Sequence, residues 1–334
     1  MAAATKVLVV DDSLTMRALI SGALERIPGV EVVGLADGAA EARQMVTALH
    51  PHVMTLDVEM PGMSGLEYLA EIMETRPMPV IMFSTRTTAG ATDSIEALRL
   101  GAMDCFPKPR VAVPAELDAI IAKLGKRLKA ARNAEIKNPA SAKTVTASSI
   151  DWNGRLLVVG GDASSTATLF DLLGTFPANC PPTIIVQHLD PGLVEGMLVK
   201  LTEKIAPRVV MATDGMEIEQ GTIYFAPPGE HHLVVDAWPA GKLRLLAREP
   251  VAGERPSISL LFAAAAKAAT TNAVGVLLID GSEDGGTGLK ALNAAGSYAF
   301  AKQEGGGYAL SRNLVTQPVA SNALAASILK MCSK

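Results

Sequence analysis

KVLVVDDS (6–13), HVMTLD (52–57) running on into VEMPGMSGLEYL (58–69), PVIMFS (79–84) and CFPKP (105–109) decide the fold of the first third of the chain. Their apolar, β-branched runs show little polar alternation, which is how strands buried on both faces of a parallel sheet read. Between KVLVV and EVVG (31–34), the residues Met16, Leu19, Ile20, Ala23, Leu24 and Ile27 recur at helical spacing. Ser13 is placed to cap that helix and Pro28-Gly29 to end it. Strand and helix alternating through residue 110 predict a doubly wound α/β domain.

In such a sheet the carboxyl ends of the strands open into the ligand crevice. Asp11 and Asp12 close the first strand and Asp57 the third. Three carboxylates there repel one another unless a cation sits among them, and hard oxygen donors suit Mg²⁺. Ser84 closes the fourth strand and Lys108 follows the fifth. A hydroxyl and an ammonium at that edge supply the donor and counter-charge that a phosphoryl group on Asp57 would need. An Asp-Asp-Ser run alone is more often a helix cap, and a lone Lys-Pro a turn; the set at one sheet edge is what carries weight.

On these residues, 6–110 resemble a response-regulator receiver domain, which implies a flavodoxin-like fold. The resemblance implies Asp57 as phosphoacceptor and a histidine kinase as phosphodonor. Asp11, Asp12, Asp57 and the Glu59 backbone carbonyl would hold Mg²⁺, and Ser84 and Lys108 would sense the phosphate. One position departs: where receivers usually carry an aromatic, three residues before the lysine, this chain has Cys105, with Phe106 beside it.

Further on, Leu117, Ile120, Ile121, Leu124, Leu128 and Ala131 mark a helix with a basic outer face, followed by a Ser/Thr/Ala-rich linker over 137–154. The expected organisation is a domain over 1–110, helix and linker over 111–154, and a second, larger α/β domain over 155–334. With 334 residues of which 49% are apolar, two sizeable cores are possible. A net charge of −4 and 4% aromatics argue against nucleic acid as a partner. Three scattered cysteines offer no disulfide framework, and apolar runs are too short to insert into a membrane, so a cytoplasmic protein is expected.

The second series starts with RLLVV (155–159) and TIIVQ (183–187), continues through strands near 208, 222, 232 and 243, and ends with AVGVLLI (273–279) and YAFA (298–301). Helices are expected over 164–174, 190–204, 257–270, 286–295 and 319–331, with some antiparallel hairpins in the middle. VQHLDPG (186–192), DGMEIEQGTIYFAPPGEHHLVV (214–235), ERPSISLLF (254–262), LLIDGSEDGGTG (277–288) and AKQE (301–304) resemble the catalytic domain of chemotaxis-type protein-glutamate methylesterases. That implies a Ser-His-Asp hydrolase acting on methylated glutamates of chemoreceptor cytoplasmic helices, and on glutamines there, with a receiver blocking its site until phosphorylated. His188 matches the family's histidine and Asp284 its aspartate.

The nucleophile position does not match. The family writes GASTGG at the first strand–helix turn, and this chain writes Gly160-Gly161-Asp162-Ala163-Ser164-Ser165. Ungapped, Asp162 takes the serine's place, and a carboxylate has no proton to give a base. The family's GMGxDGxxG loop is one residue shorter here, with Ser282 in place of its methionine, and its RPSVD is RPSIS. The reading favoured by these three departures is a catalytically impaired site in a regulatory or binding module. The alternative is an active methylesterase in which Ser164, two residues on, attacks. Gly160-Gly161 lacks the pattern of a dinucleotide loop, and the adjacent His231-His232 face opposite sides of a strand, so neither predicts a ligand.

Overall fold

The computed structural model describes residues 4–85, 88–108, 124–125, 127–128, 149–279, 284–302, 312–314 and 317–334. The chain divides into two compact units, Met1–Ala140 and Ser141–Lys334. Most of the expected 114–132 helix, the linker to 148, Ser282 with its neighbours 280–283, and the end of AKQE lie outside the described residues.

The first unit is a five-stranded sheet of β1 (Thr5–Val10), β2 (Val30–Ala36), β3 (Val53–Asp57), β4 (Val80–Ser84) and β5 (Asp104–Pro107), in the order β2-β1-β3-β4-β5. Every pairing is parallel. β3 and β4 are buried along their whole length, as unbroken apolar runs require. Ser13 caps the helix Leu14–Glu25, accepting from the Met16 amide. Ser64 and Glu67 form a reciprocal capping box that starts the helix Gly65–Thr75 directly after the β3 end. Gly65 is needed there, because a Cβ would lie 1.9 Å from the Asp57 carbonyl oxygen. Leu124 and Leu128, from the basic-faced stretch, are buried in this unit's core with Val7, Ile20, Leu24 and Ile27, and Arg127 pairs with Asp104 at 2.6 Å.

The second unit is a seven-stranded sheet in the order β14-β13-β12-β6-β7-β9-β8, again parallel throughout. Its strands are β6 (Leu156–Asp162), β7 (Thr183–His188), β8 (Arg208–Met211), β9 (Thr222–Phe225), β12 (Ala273–Leu277), β13 (Tyr298–Lys302) and β14 (Gln317–Val319). β10 (His232–Val235) and β11 (Leu243–Leu246) form a separate antiparallel ribbon, and among the described residues the other antiparallel pairings are isolated bridges such as Glu217 with Lys242. Helices Thr166–Gly174, Pro191–Lys204, Ile258–Ala269, Gly286–Ala294 and Ser321–Met331 stand close to the expected ranges. Among the described residues, no helix is long and apolar enough to cross a membrane.

Candidate functional sites

The strand order puts the ends of β1, β3, β4 and β5 side by side, and the acidic residues of the first unit meet there. Ligand oxygens of Asp11, Asp12 and Asp57 lie within 4.8 Å of one another. Asp11 and Asp57 are buried and Asp12 is exposed. Lys108 Nζ donates to Asp57 Oδ2 at 2.6 Å and sits 3.3 Å from Asp11 Oδ2. Burial raises the Asp57 pKa to about 6, with the Asp11 charge adding to the rise and the Lys108 hydrogen bond opposing it. Burial works against the Lys108 ammonium, but the hydrogen bond and charge of Asp57 outweigh it and hold its pKa above the ordinary value.

Two further features bear on a cation. Asp11 Oδ2 is a buried oxygen that accepts no hydrogen bond of good geometry and has only the Lys108 ammonium beside it at 3.3 Å, and the three-carboxylate donor set is hard and anionic. Both fit a small divalent ion. The Glu59 amide donates to Asp57 Oδ1 at 3.2 Å, fixing the loop that carries the Glu59 carbonyl. A cleft of about 590 Å³ opens beside the cluster, with Asp12, Glu59, Met60, Ser64 and Lys108 in its wall. Ser84 lies one residue past Phe83, the β4 neighbour of Asp57, but its hydroxyl is engaged with Ser94 Oγ at 2.7 Å.

In the second unit, β6 and β7 end together with Asp162 opposite His188. Asp284 is buried and accepts from Ser257 Oγ at 2.9 Å, from the amides of Ile258 and Ser259 at 2.7 and 2.9 Å, and from its neighbour Gly285 at 3.0 Å. The N-terminus of helix Ile258–Ala269 therefore cradles this carboxylate, where its dipole favours negative charge. His188 Nε2 is 3.4 Å from Asp284 Oδ2 and 3.0 Å from the Pro256 carbonyl. Carbonyl and carboxylate oxygens only accept here, so Nε2 carries the hydrogen and Nδ1 of the neutral ring is the basic nitrogen. The His188 imidazole and the Asp284 carboxylate are thus brought together.

The turn after β6 differs. Ser164 is exposed, and its hydroxyl donates to Asp162 Oδ1 at 2.7 Å. Ser165 closes the turn locally, accepting from the Asp162 amide and donating to its carbonyl. Gln187 Nε2 donates to that same carbonyl at 2.5 Å.

The profile described as "CheB methylesterase" matches residues 157–317, and that of the "Response regulator receiver domain" residues 7–121. A curated Rhizobium johnstonii protein named protein-glutamate methylesterase/protein-glutamine glutaminase 1 is 44% identical over 308 residues, 91% of this chain and 88% of that one. The Caulobacter vibrioides protein of the same name is 41% identical over 303 residues, 90% of this chain and 88% of that one. The chain belongs to the protein-glutamate methylesterase family. It is built as a response-regulator receiver domain followed by a CheB-type methylesterase domain. The crystal structure of the Thermotoga maritima CheB methylesterase catalytic domain matches with a TM-score of 0.51 at 20% identity, covering 54% of this chain and 99% of that one; it speaks to the fold alone.

Within the methylesterase domain, some of the site was not visible in the sequence. Gly160 and Gly161 answer to close packing: a Cβ on Gly160 would lie 2.3 Å from Ile258 Cγ2, and one on Gly161 2.1 Å from Gln187 Oε1. Buried His232 accepts from the Ser257 amide at Nδ1 and faces the Glu249 carbonyl at Nε2, so it braces the segment that holds Asp284. Pro256, Ser257 and Ser259 touch the His188–Asp284 pair: the Pro256 carbonyl faces His188 Nε2, and the Ser257 hydroxyl and Ser259 amide donate to Asp284. In the receiver domain, nothing in the motif pointed to Ser94.

Proposed function

We propose that the chain is a phosphorylation-gated hydrolase of glutamyl methyl esters on chemoreceptor-type helices, with hydrolysis of glutamine side chains there as a second activity. What carries this reading is the intact His188–Asp284 pair, whose buried acid is held by four donors and whose ring is left with a basic Nδ1. The names of the relatives fit an active enzyme better than an impaired one.

The receiver is the control element. Above about pH 6 the Asp57 carboxylate is ionised and attacks the phosphorus of a histidine kinase phosphodonor, and the kinase imidazole leaves. Asp11, Asp12, Asp57 and the Glu59 carbonyl are the groups to hold Mg²⁺, which when bound neutralises charge on the transferring phosphoryl group. Lys108 supplies the protein's own counter-charge and Ser84 a hydroxyl donor. Such partners place the chain in the cytoplasm.

In the methylesterase domain, Ser164 is the hydroxyl available for attack. Its Oγ leaves Asp162, adds to the ester carbonyl carbon and gives its proton to His188 Nδ1. The imidazolium, steadied by Asp284, returns that proton to the methoxy oxygen, which departs as methanol. Water then repeats the sequence on the acyl-serine to free the glutamate.

A second reading has its own observation. Asp162 holds the β6 end opposite His188, and the Ser164 hydroxyl is bonded to Asp162. On that reading the domain binds its target without turnover. Methanol release from methylated receptor by the phosphorylated full-length chain separates the two. Activity that falls about 10³-fold or more in Ser164→Ala supports the hydrolase. No release from the wild-type chain, with gain of release in Asp162→Ser, supports the binding module.

A further inference from the structure

We propose that Ser94 is a positioning residue of the phosphoacceptor site, competing with an incoming phosphoryl group for the single hydroxyl hydrogen of Ser84. The inference rests on the reading of Asp57 and Ser84 given above and adds the route by which helix Thr88–Arg99 responds.

The proton bookkeeping is what carries it. Ser84 Oγ and Ser94 Oγ are 2.7 Å apart, and both residues are buried. Ser94 Oγ is also 2.7 Å from the Gly90 carbonyl oxygen, one turn back in the same helix. A carbonyl only accepts, and Ser94 has one hydrogen. Both contacts are satisfied only if Ser94 donates to Gly90 and Ser84 donates to Ser94. The one hydrogen that Ser84 could offer a phosphoryl group is therefore committed to the helix.

Phosphoryl oxygens on Asp57 at neutral pH are strong acceptors. To bond one, Ser84 must turn away from Ser94, which leaves a buried hydroxyl oxygen without its donor. That loss is relieved by a shift of the helix that carries Ser94. Cys105 backs the same point, with its thiol 3.3 Å from the Ser94 carbonyl. A relay of hydrogen bonds, from the Ser84 hydroxyl to the Ser94 hydroxyl to the Gly90 carbonyl, thus links phosphate to helix.

The test is a titration of the full-length ¹⁵N-labelled chain with beryllofluoride in the presence of Mg²⁺, read at the amides of Glu59 and Lys108. Ser94→Ala is expected to tighten beryllofluoride binding about fivefold, because Ser84 no longer gives up a partner. In a Ser84→Ala background the same change is expected to leave the affinity unaltered. Equal effects in both backgrounds, or weaker binding in Ser94→Ala, would overturn the proposal. In the wild-type chain the Gly90 and Ser94 amides are expected to shift with beryllofluoride; no shift there overturns it without reference to any variant's folding. Failure of the wild-type chain to bind beryllofluoride, or equal binding by Asp57→Asn, removes the phosphoacceptor reading itself and this inference with it.

Discussion

His188 Nε2 donates to the Pro256 carbonyl at 3.0 Å, from a residue whose neighbour Ser257 is bonded to Asp284. One short segment therefore orients the imidazole and holds the acid behind it. The segment spans Pro256–Ser259, and its amides and hydroxyls do for Asp284 what a helix N-terminus does for an anion.

The first prediction concerns that acid. Asp284→Asn puts an NH₂ group among donors that all need an acceptor, and it removes the charge facing His188. The full-length variant is expected to lose about 2–4 kcal/mol in urea unfolding of its second domain. A loss within error of zero would mean that the four donors find other partners.

A second prediction addresses His232. His232→Leu strips the acceptor from the buried Ser257 amide and the donor from the Glu249 carbonyl, and should cost about 2–3 kcal/mol. His232→Asn offers an oxygen near the Nδ1 position and should recover part of that stability. Two-dimensional NMR of the His188 ring is the sharper readout: its Nε2–H tautomer should persist in the Asn variant and become mixed in the Leu variant.

The third prediction is a pH dependence. The unfolded chain releases the Asp57 proton near the ordinary value of 3.8, whereas the folded chain holds it to about 6. Stabilisation from this group is complete below the lower value and lost as pH rises through the higher one. In metal-free buffer, the Tm advantage of Asp57→Asn over the wild-type chain should therefore widen between about pH 4 and pH 7. Saturating Mg²⁺ should narrow it. A constant difference across that range would show that Asp57 is not buried as a charge.

A fourth prediction tests the seat of the helix beside Asp57. Gly65→Ala puts a methyl 1.9 Å from the Asp57 carbonyl oxygen, a clash with backbone that no rotamer relieves. The expected cost is about 1–3 kcal/mol in the receiver's unfolding transition, with a slower rate of phosphorylation by a small-molecule phosphodonor. Unchanged stability would show that the loop Val58–Ser64 yields freely.

Much of this was legible in the residues because it depends on local rules. Unbroken apolar, β-branched runs identified the strands and period-3.6 patterns the helices, and the carboxyl ends of parallel strands open into one crevice. Cross-strand bonds between distant segments follow no such rule. Ser94 belongs to no motif in the sequence, and His232 stands beside His231 with no ligand pattern. Their partners lie 10 and 25 residues away on other elements.

The chain by itself determined its two α/β domains and the gathering of Asp11, Asp12, Asp57 and Lys108, since covalent order and hydrophobic period suffice for these, while Asp162 stands where the resemblance to the methylesterase family expects a serine. Only the tertiary structure decided which hydrogen each hydroxyl gives to which oxygen: Ser84 to Ser94, Ser164 to Asp162, Ser257 to Asp284. A hydroxyl rotates and has one proton, so its partner is set by whichever acceptors the packed neighbours bring within reach.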